Sequence, residues 1–333
     1  MIETVVYDRK GKNLIKTEVS PPKAALLENK DILVWINLNH FTEEEAKAVL
    51  EDLFQFHHLA IEDCFTYSNY PKFDLYDNYT FLVMHTAKFH PDLHKLKEGE
   101  NKDVQSREID FFIGTNYLIT VHQRSILTIP TVMNLCEKNP EGTIARGIDY
   151  LLYLILDEMM NNYQPMMDLM EDKIEKFDEM IFQELTPEIL SEIFTLKKDL
   201  ISLRRVLIPQ REVINRLARG ECPQISKKFT IYFRDVSDEI FRCMDLIENY
   251  RETLISIQDA FLSITSNKLN KVILTLTIIA TLILTPTVIT GFYGMNIKNL
   301  PFANSEISPL IIFLFIFVTT LGLVYYLKRK KWF

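Results

Sequence analysis

Two stretches near the C-terminus, residues 272–292 and 307–327, each run for 21 residues without a charged side chain. An α-helix rises about 1.5 Å per residue, so each stretch is long enough to cross a hydrocarbon layer of roughly 30 Å. No water is available there, and every backbone N–H and C=O must be satisfied inside the segment. Both stretches are therefore predicted as membrane-spanning helices. Lys268 and Lys271 precede the first, and Lys328-Arg329-Lys330-Lys331 follows the second. Basic flanks are retained on the cytoplasmic side, so residues 293–306 are expected outside. Met1-Ile2-Glu3-Thr4 shows no basic stretch leading into an apolar one. The expectation is a multi-pass protein of the plasma (inner) membrane with both termini in the cytoplasm, in contact with lipid.

Charge is divided between the two parts. Residues 268–333 hold one acid, Glu306, and seven bases, whereas residues 1–267 hold 44 acids and 30 bases. An acidic body cannot neutralise phosphates, which argues against nucleic acid as a partner, and it suits a protein that handles cations. Cys64, Cys136, Cys222 and Cys243 are scattered with no C-x-x-C pair, which points to reduced thiols and not to a zinc site. His57, His58 and His94 read as ordinary polar or core residues.

The soluble part divides in two. Residues 1–144 form an α/β domain, with strand-like stretches at 4–7, 13–18, 32–37, 79–86, 108–113 and 117–122. Asn116 marks a turn, and Thr42-Glu43-Glu44-Glu45 is a capping box that opens a helix to about Gln55. Residues 145–225 form a helical bundle. In it, Pro165 is expected to kink one helix and Pro209 to kink or end the next; Gly220 and Pro223 mark a break. From 226 no Pro or Gly occurs before Pro286. Ile240, Met244, Ile247, Tyr250, Leu254, Ile257, Phe261 and Ile264 step by three and four. About 65 helical residues, a rod of roughly 100 Å, would thus join a stalk (226–271) to the first span (272–292). That span also carries Thr275, Thr277, Thr281, Thr285, Thr287 and Thr290. These hydroxyls either bond back to their own helix or, at Thr277, Thr281 and Thr287, line a polar path.

The first span ends in Tyr293-Gly294-Met295-Asn296, which resembles the signature of the CorA family of magnesium transporters. Ser266-Asn267-Lys268-Leu269-Asn270 before the span, Thr277-Ile278-Ile279-Ala280-Thr281 within it and Lys328-Arg329-Lys330-Lys331-Trp332 after the second agree with that family, and so does the order of the domains. The resemblance is clear from about residue 226 onward and looser before it. It implies an α+β cytoplasmic domain followed by long helices and a two-helix transmembrane region, assembled as a funnel-shaped homopentamer. The first spans would line a pore, the second spans would ring them, and residues 328–333 would form a basic tail.

The resemblance also implies which residues act. Gly294, Met295 and Asn296 would form the outer mouth, with Asn296 a ring of carboxamides. Mg²⁺ sheds water reluctantly, and neutral amides can accept hydrogen bonds from its water shell while holding it weakly enough to release it. Gly294 would let the chain turn, and Gly-Met-Asn also suits a helix C-cap. Further in, Thr287, Leu284, Leu276, Ile273 and Asn270 would line the pore, with Leu276 and Ile273 as an apolar constriction and Asp259 as an inner acidic ring. Asp235 and Asp92 would bind regulatory Mg²⁺, so that Mg²⁺ is both cargo and regulator, with no organic cofactor. One departure stands out. The outer loop reads Ile297-Lys298-Asn299-Leu300-Pro301-Phe302-Ala303 where many family members carry acids.

Passive, potential-driven uptake of Mg²⁺, and also of Co²⁺ or Ni²⁺, is the function this implies. A zinc or other divalent-cation transporter on the same scaffold is the alternative. An enzyme is disfavoured, since Gly142-Thr143-Ile144-Ala145-Arg146-Gly147 has phosphate-loop spacing but Ile148 stands where the lysine is needed. A membrane-tethered scaffold without a pore is disfavoured by the threonine-rich span and its Asn270 and Asn296 ends.

Overall fold

The computed structural model describes residues 1–18, 29, 31–68, 70–88, 105–181, 187–295, 301 and 307–330. It divides into two compact units, Met1–Ile257 and Gln258–Phe333.

The first unit opens with β1 (Ile2–Asp8), β2 (Asn13–Thr17) and β3 (Ile32–Asn39). Thr42 then caps α1 as its sequence requires. Its hydroxyl accepts the Glu45 N–H at 3.2 Å, and the Glu45 carboxylate accepts the Thr42 N–H at 3.0 Å. Helix α1 (Glu43–Ala46) passes into a wider π-helical turn, Lys47–Leu53. Helix α2 (His58–Phe65), capped by His57, and β4 (Lys72–Leu75) follow; neither is evident from hydrophobic periodicity. Strands β5 (Thr80–Lys88), β6 (Gln105–Ile113) and β7 (Tyr117–His122) complete a sheet of order β2-β1-β3-β7-β6-β5-β4. Among these described strands only β3 and β7 pair in parallel; the other pairs are antiparallel. One sheet face carries Val34, Ile36, Leu38, Phe81, Val83, Phe112, Ile119 and Val121 and packs under Val49, Leu50, Ala60 and Ile61 of the α1 and α2 segments.

Helix α3 (Thr128–Lys138) leads to α4 (Ile148–Asn161), α5 (Gln164–Met180) and α6 (Pro187–Ala218). Pro165 does not kink a continuous helix. It sits in the first turn of α5, where its missing N–H costs nothing, so the chain stops at Asn161 and restarts. Pro209 neither ends nor interrupts α6. Its neighbour Gln210 is buried, accepts the His85 N–H and donates to the Tyr163 hydroxyl, both at 3.3 Å. Those tertiary bonds hold the helix across the proline. Gly220 takes φ +74°, a left-handed conformation that glycine adopts without steric cost, and ends the segment. All four cysteines are buried and free.

Helix α7 (Thr230–Tyr293) is 64 residues long and carries Pro286 inside it, within about one residue of the predicted length. In the first unit its buried stripe is Phe233, Val236, Ile240, Cys243, Ile247, Tyr250, Leu254 and Ile257. It is tied to α6 by Ser237 donating to Asn215 at 2.7 Å and by an Arg204–Glu248 ion pair at 3.2 Å. The predicted seam is thus packed within one chain as far as Ile257, apart from the half-buried Met244.

The second unit contains the end of α7 and α8 (Ser308–Arg329). Each is long and apolar enough to cross a membrane, and only 6% of either apolar window is buried.

Candidate pore face and candidate cation centre

Within the second unit, each span has one half-buried stripe. On α7 it is Leu274, Ile278, Leu282, Thr285, Ile289 and Tyr293; on α8 it is Ile312, Ile316, Thr320, Leu323 and Leu327. Ile278 and Leu327 are the most buried, and the two stripes are the faces the spans turn toward each other. Successive helical residues are about 100° apart. Asp259, Asn270, Ile273, Leu276, Leu284 and Thr287 therefore fall within an arc of about 120°, on the side of α7 away from Ile278. All six are exposed, with Ile273, Leu276 and Leu284 at 52%, 65% and 60%. The predicted pore residues thus share one open face, and Gly291, with nothing near where its Cβ would be, continues it.

The threonines divide differently from the polar-path expectation. All six hydroxyls donate to a carbonyl four residues back, from Thr275 to Lys271 at 2.9 Å through Thr290 to Pro286 at 2.9 Å. Such bonds satisfy the hydroxyl proton in an apolar medium and leave only oxygen lone pairs for a ligand. Thr277 and Thr287 are exposed, while Thr281 is half-buried toward the α8 side.

At the C-terminal end of α7, the Gly294 N–H donates to the Thr290 carbonyl at 2.8 Å. Gly294 is not in the left-handed region. Its lack of a side chain matters for another reason. A Cβ there would meet the Thr290 oxygen at 3.1 Å. Met295 is 52% exposed. Asn296, Lys298 and Glu306 lie outside the described residues, as does Asp92.

The second cluster lies in the first unit. Asp235 on α7, expected to pair with Asp92, meets Asp157 of α4 and Glu239 of α7. One carboxylate oxygen from each lies within 4.8 Å of the others. Asp235 and Glu239 are four apart and so share a helix face; that spacing was readable in the sequence. Asp157 was not, because nothing local announces that α4 will lie against α7. Burial first, and then the Asp235 charge, raise the Asp157 carboxyl; burial, then Asp157 and Asp235, raise Glu239. The Tyr153 hydroxyl bonds Asp157, and Asn161 Nδ2 donates to it at 3.5 Å. Arg242 approaches Glu239 only to 3.7 Å, and Glu239 Oε2 is buried without a partner. Like charges are assembled with little to neutralise them. An all-oxygen donor set of this kind suits a hard divalent cation such as Mg²⁺.

The described chain thus combines an α/β unit, a 64-residue helix that continues as an apolar span, and a second apolar span. Residues 30–329 match the family described as CorA-like Mg2+ transporter protein, and the chain belongs to that family. It is 30% identical over 232 residues to the cobalt/magnesium transport protein CorA of Methanocaldococcus jannaschii, covering 69% of this chain and 73% of that one. The protein of the same name from Thermotoga maritima is 28% identical over 298 residues, covering 90% and 83%. A zinc transport protein, ZntB, of Yersinia pestis is 24% identical over 225 residues, 67% of each chain. Among solved structures, the complete CorA magnesium transporter of M. jannaschii superposes with a TM-score of 0.80 at 23% identity, covering 99% of this chain and 98% of that one. The fold is therefore that of CorA, and the chain is a divalent-cation transporter of the CorA type.

Proposed function

We propose that this transporter passes Mg²⁺ into the cell passively through a pore lined by the open face of α7. The observation that carries this reading is the alignment of Asp259, Asn270, Ile273, Leu276, Leu284 and Thr287 on the side of α7 away from α8. Asp259 and Asn270 lie in the stalk before the span, and Ile273, Leu276, Leu284 and Thr287 continue their face into it. A ring of copies, a homopentamer by family resemblance, encloses it. Gly294, Met295 and Asn296 form the outer mouth, Leu276 and Ile273 the constriction, and the termini lie in the cytoplasm. A membrane potential of about 100 mV gives a divalent ion about 4.6 kcal/mol, enough to drive entry without a fuel. The Asp157, Asp235 and Glu239 centre senses internal Mg²⁺: a bound cation offsets the mutual repulsion of the three acids and favours the closed state. Asp92 remains a candidate further ligand.

Transport of zinc is the second reading, supported by relatives that carry that name. Uptake into proteoliposomes under an imposed potential, with Mg²⁺, Co²⁺, Ni²⁺ and Zn²⁺ compared, separates the two. Mg²⁺ uptake that follows the potential is expected. Zn²⁺ uptake without Mg²⁺ uptake would establish the second reading, and no flux of any ion would refute both.

A further inference from the structure

The α/β unit holds two acids, Asp110 buried and Glu108 half-buried, that cation passage does not employ. Glu108 and Asp110 are two apart on β6, so both face the side of the sheet covered by α1 and α2. Asp110 lies opposite Val83 of β5 and Val121 of β7, among the apolar core residues, and is 3% exposed. The two side chains are neighbours on that face, and the Glu108 carboxylate bears directly on Asp110. Two carboxylates side by side away from water disfavour ionising together, which favours holding a proton between them. The Cys64 thiol of α2 lies beside Asp110 but donates to the Ala60 carbonyl at 3.3 Å, and Asp110 Oδ1 has no partner.

The pair reaches a loop. Glu108 Oε2 accepts the Ser68 N–H at 2.6 Å and lies 3.7 Å from Nε2 of His85, the residue opposite it on β5. The same Nε2 is 2.7 Å from the Ser68 carbonyl oxygen. Nδ1 of His85 is buried without a partner, which fits a neutral ring donating through Nε2. Ser68 is thereby held at both its N–H and its C=O.

The remaining titratable groups that face the pair are few. Helix α2 contributes Asp63 and Cys64, and β4 contributes Lys72, bound to Asp63 at 2.7 Å. The segment after α2 brings the Tyr67 ring edge-on to His85 at 5.7 Å. Strand β7 presents Val121, which does not titrate. Among the described residues, only the Asp157 centre draws three potential metal-ligand atoms within 4.8 Å of one another.

We propose that Glu108 and Asp110, with His85, form a proton-binding site that fixes Ser68 to the sheet and makes the stability of the α/β unit depend on pH. Burial first, then the neighbouring Glu108, raise Asp110 well above its ordinary range; burial raises Glu108 to about 7. An acid raised on folding contributes stability that is fully present below its unfolded value and is lost as pH rises through the folded one. The unit should therefore weaken from the ordinary carboxyl range upward, through about pH 7 for Glu108.

The test uses the full-length protein in detergent. Trp35, fully buried on β3, reports unfolding of this sheet, and Trp332→Phe removes the other tryptophan. The parent's Tm is expected to fall by several degrees between about pH 5 and about pH 8, and Glu108→Gln to lose much of that slope by gaining stability at the higher pH. The infrared C=O band of a protonated carboxylic acid should persist at about pH 8 in the parent and diminish in Asp110→Asn. Parallel pH slopes for parent and Glu108→Gln, or no protonated-acid band in the parent, would overturn the proposal. Both of those readouts stand even if Asp110→Asn does not fold. Neither depends on the pore face or on the Asp157 centre.

Discussion

Asp157→Asn should reverse sign in its effect on stability when Mg²⁺ is added. In the parent, three carboxylates stand with oxygens within 4.8 Å of one another. One such pair costs about 0.9 kcal/mol in water and about 3.5 kcal/mol at an effective dielectric constant of 20. Asp157 and Glu239 are only half-buried and Asp235 is exposed, so the lower figure governs. Removing one charge, which faces two others, should then stabilise the cation-free protein by about 1–2 kcal/mol. A cation at about 100 times its dissociation constant adds about 2.7 kcal/mol to the parent. Without that gain the variant should be the less stable of the two by about 1 kcal/mol. Thermal unfolding of full-length protein with chelator and with Mg²⁺, at matched ionic strength, measures both arms. Protons compete for the same oxygens. Asp157 and Glu239 have raised folded values, so the cation-free parent loses stability as pH climbs through them. The protection by Mg²⁺ should therefore be larger at about pH 8 than at about pH 5. An equal Mg²⁺-dependent shift in parent and variant would remove Asp157 from the centre. A variant less stable than the parent in chelator would show that repulsion does not dominate there.

Two further outcomes concern the pore. Asn296→Ala should abolish uptake while the assembled oligomer persists on size exclusion; normal uptake by an assembled variant would exclude this carboxamide from the mechanism. Leu276→Asn should wet the apolar constriction and raise ion leak at high internal Mg²⁺ by about tenfold or more, the equivalent of about 1.4 kcal/mol off the barrier, whereas Phe313→Asn on the lipid-facing side of α8 should leave gating unchanged in flux assays.

Much of this architecture is local and so was legible in the chain. Charge-free runs of sufficient length define the spans because the bilayer core leaves the backbone no other solution. The absence of Pro and Gly from 226 to 285 let a single helix pass from the soluble part into the membrane, and Thr42 with Glu45 placed the start of α1 within a residue. The Tyr293-Gly294-Met295-Asn296 signature pointed to the family. Other features rest on tertiary contacts that no local signal announces. Pro209 stays within α6 because Gln210 is anchored to β5 and Tyr163.

What the sequence by itself determined is therefore the one-dimensional plan: which segments are strands, which form the long helix, which cross the bilayer, and where the acids and bases are concentrated. The family resemblance named Asp259, Asn270, Ile273, Leu276, Leu284 and Thr287, and helical periodicity puts those six on one face of α7. Only the tertiary structure decided that this face stays open, because that depends on which side α8 covers. Only the packing of α4 against α7 brought Asp157 to Asp235 and Glu239, and only the sheet order placed Glu108 across from His85 and Asp110 under Cys64. Each of these meetings joins residues far apart in the chain. The local forces that form helices and strands act over a few residues, whereas the burial that selects partners is settled by the whole fold.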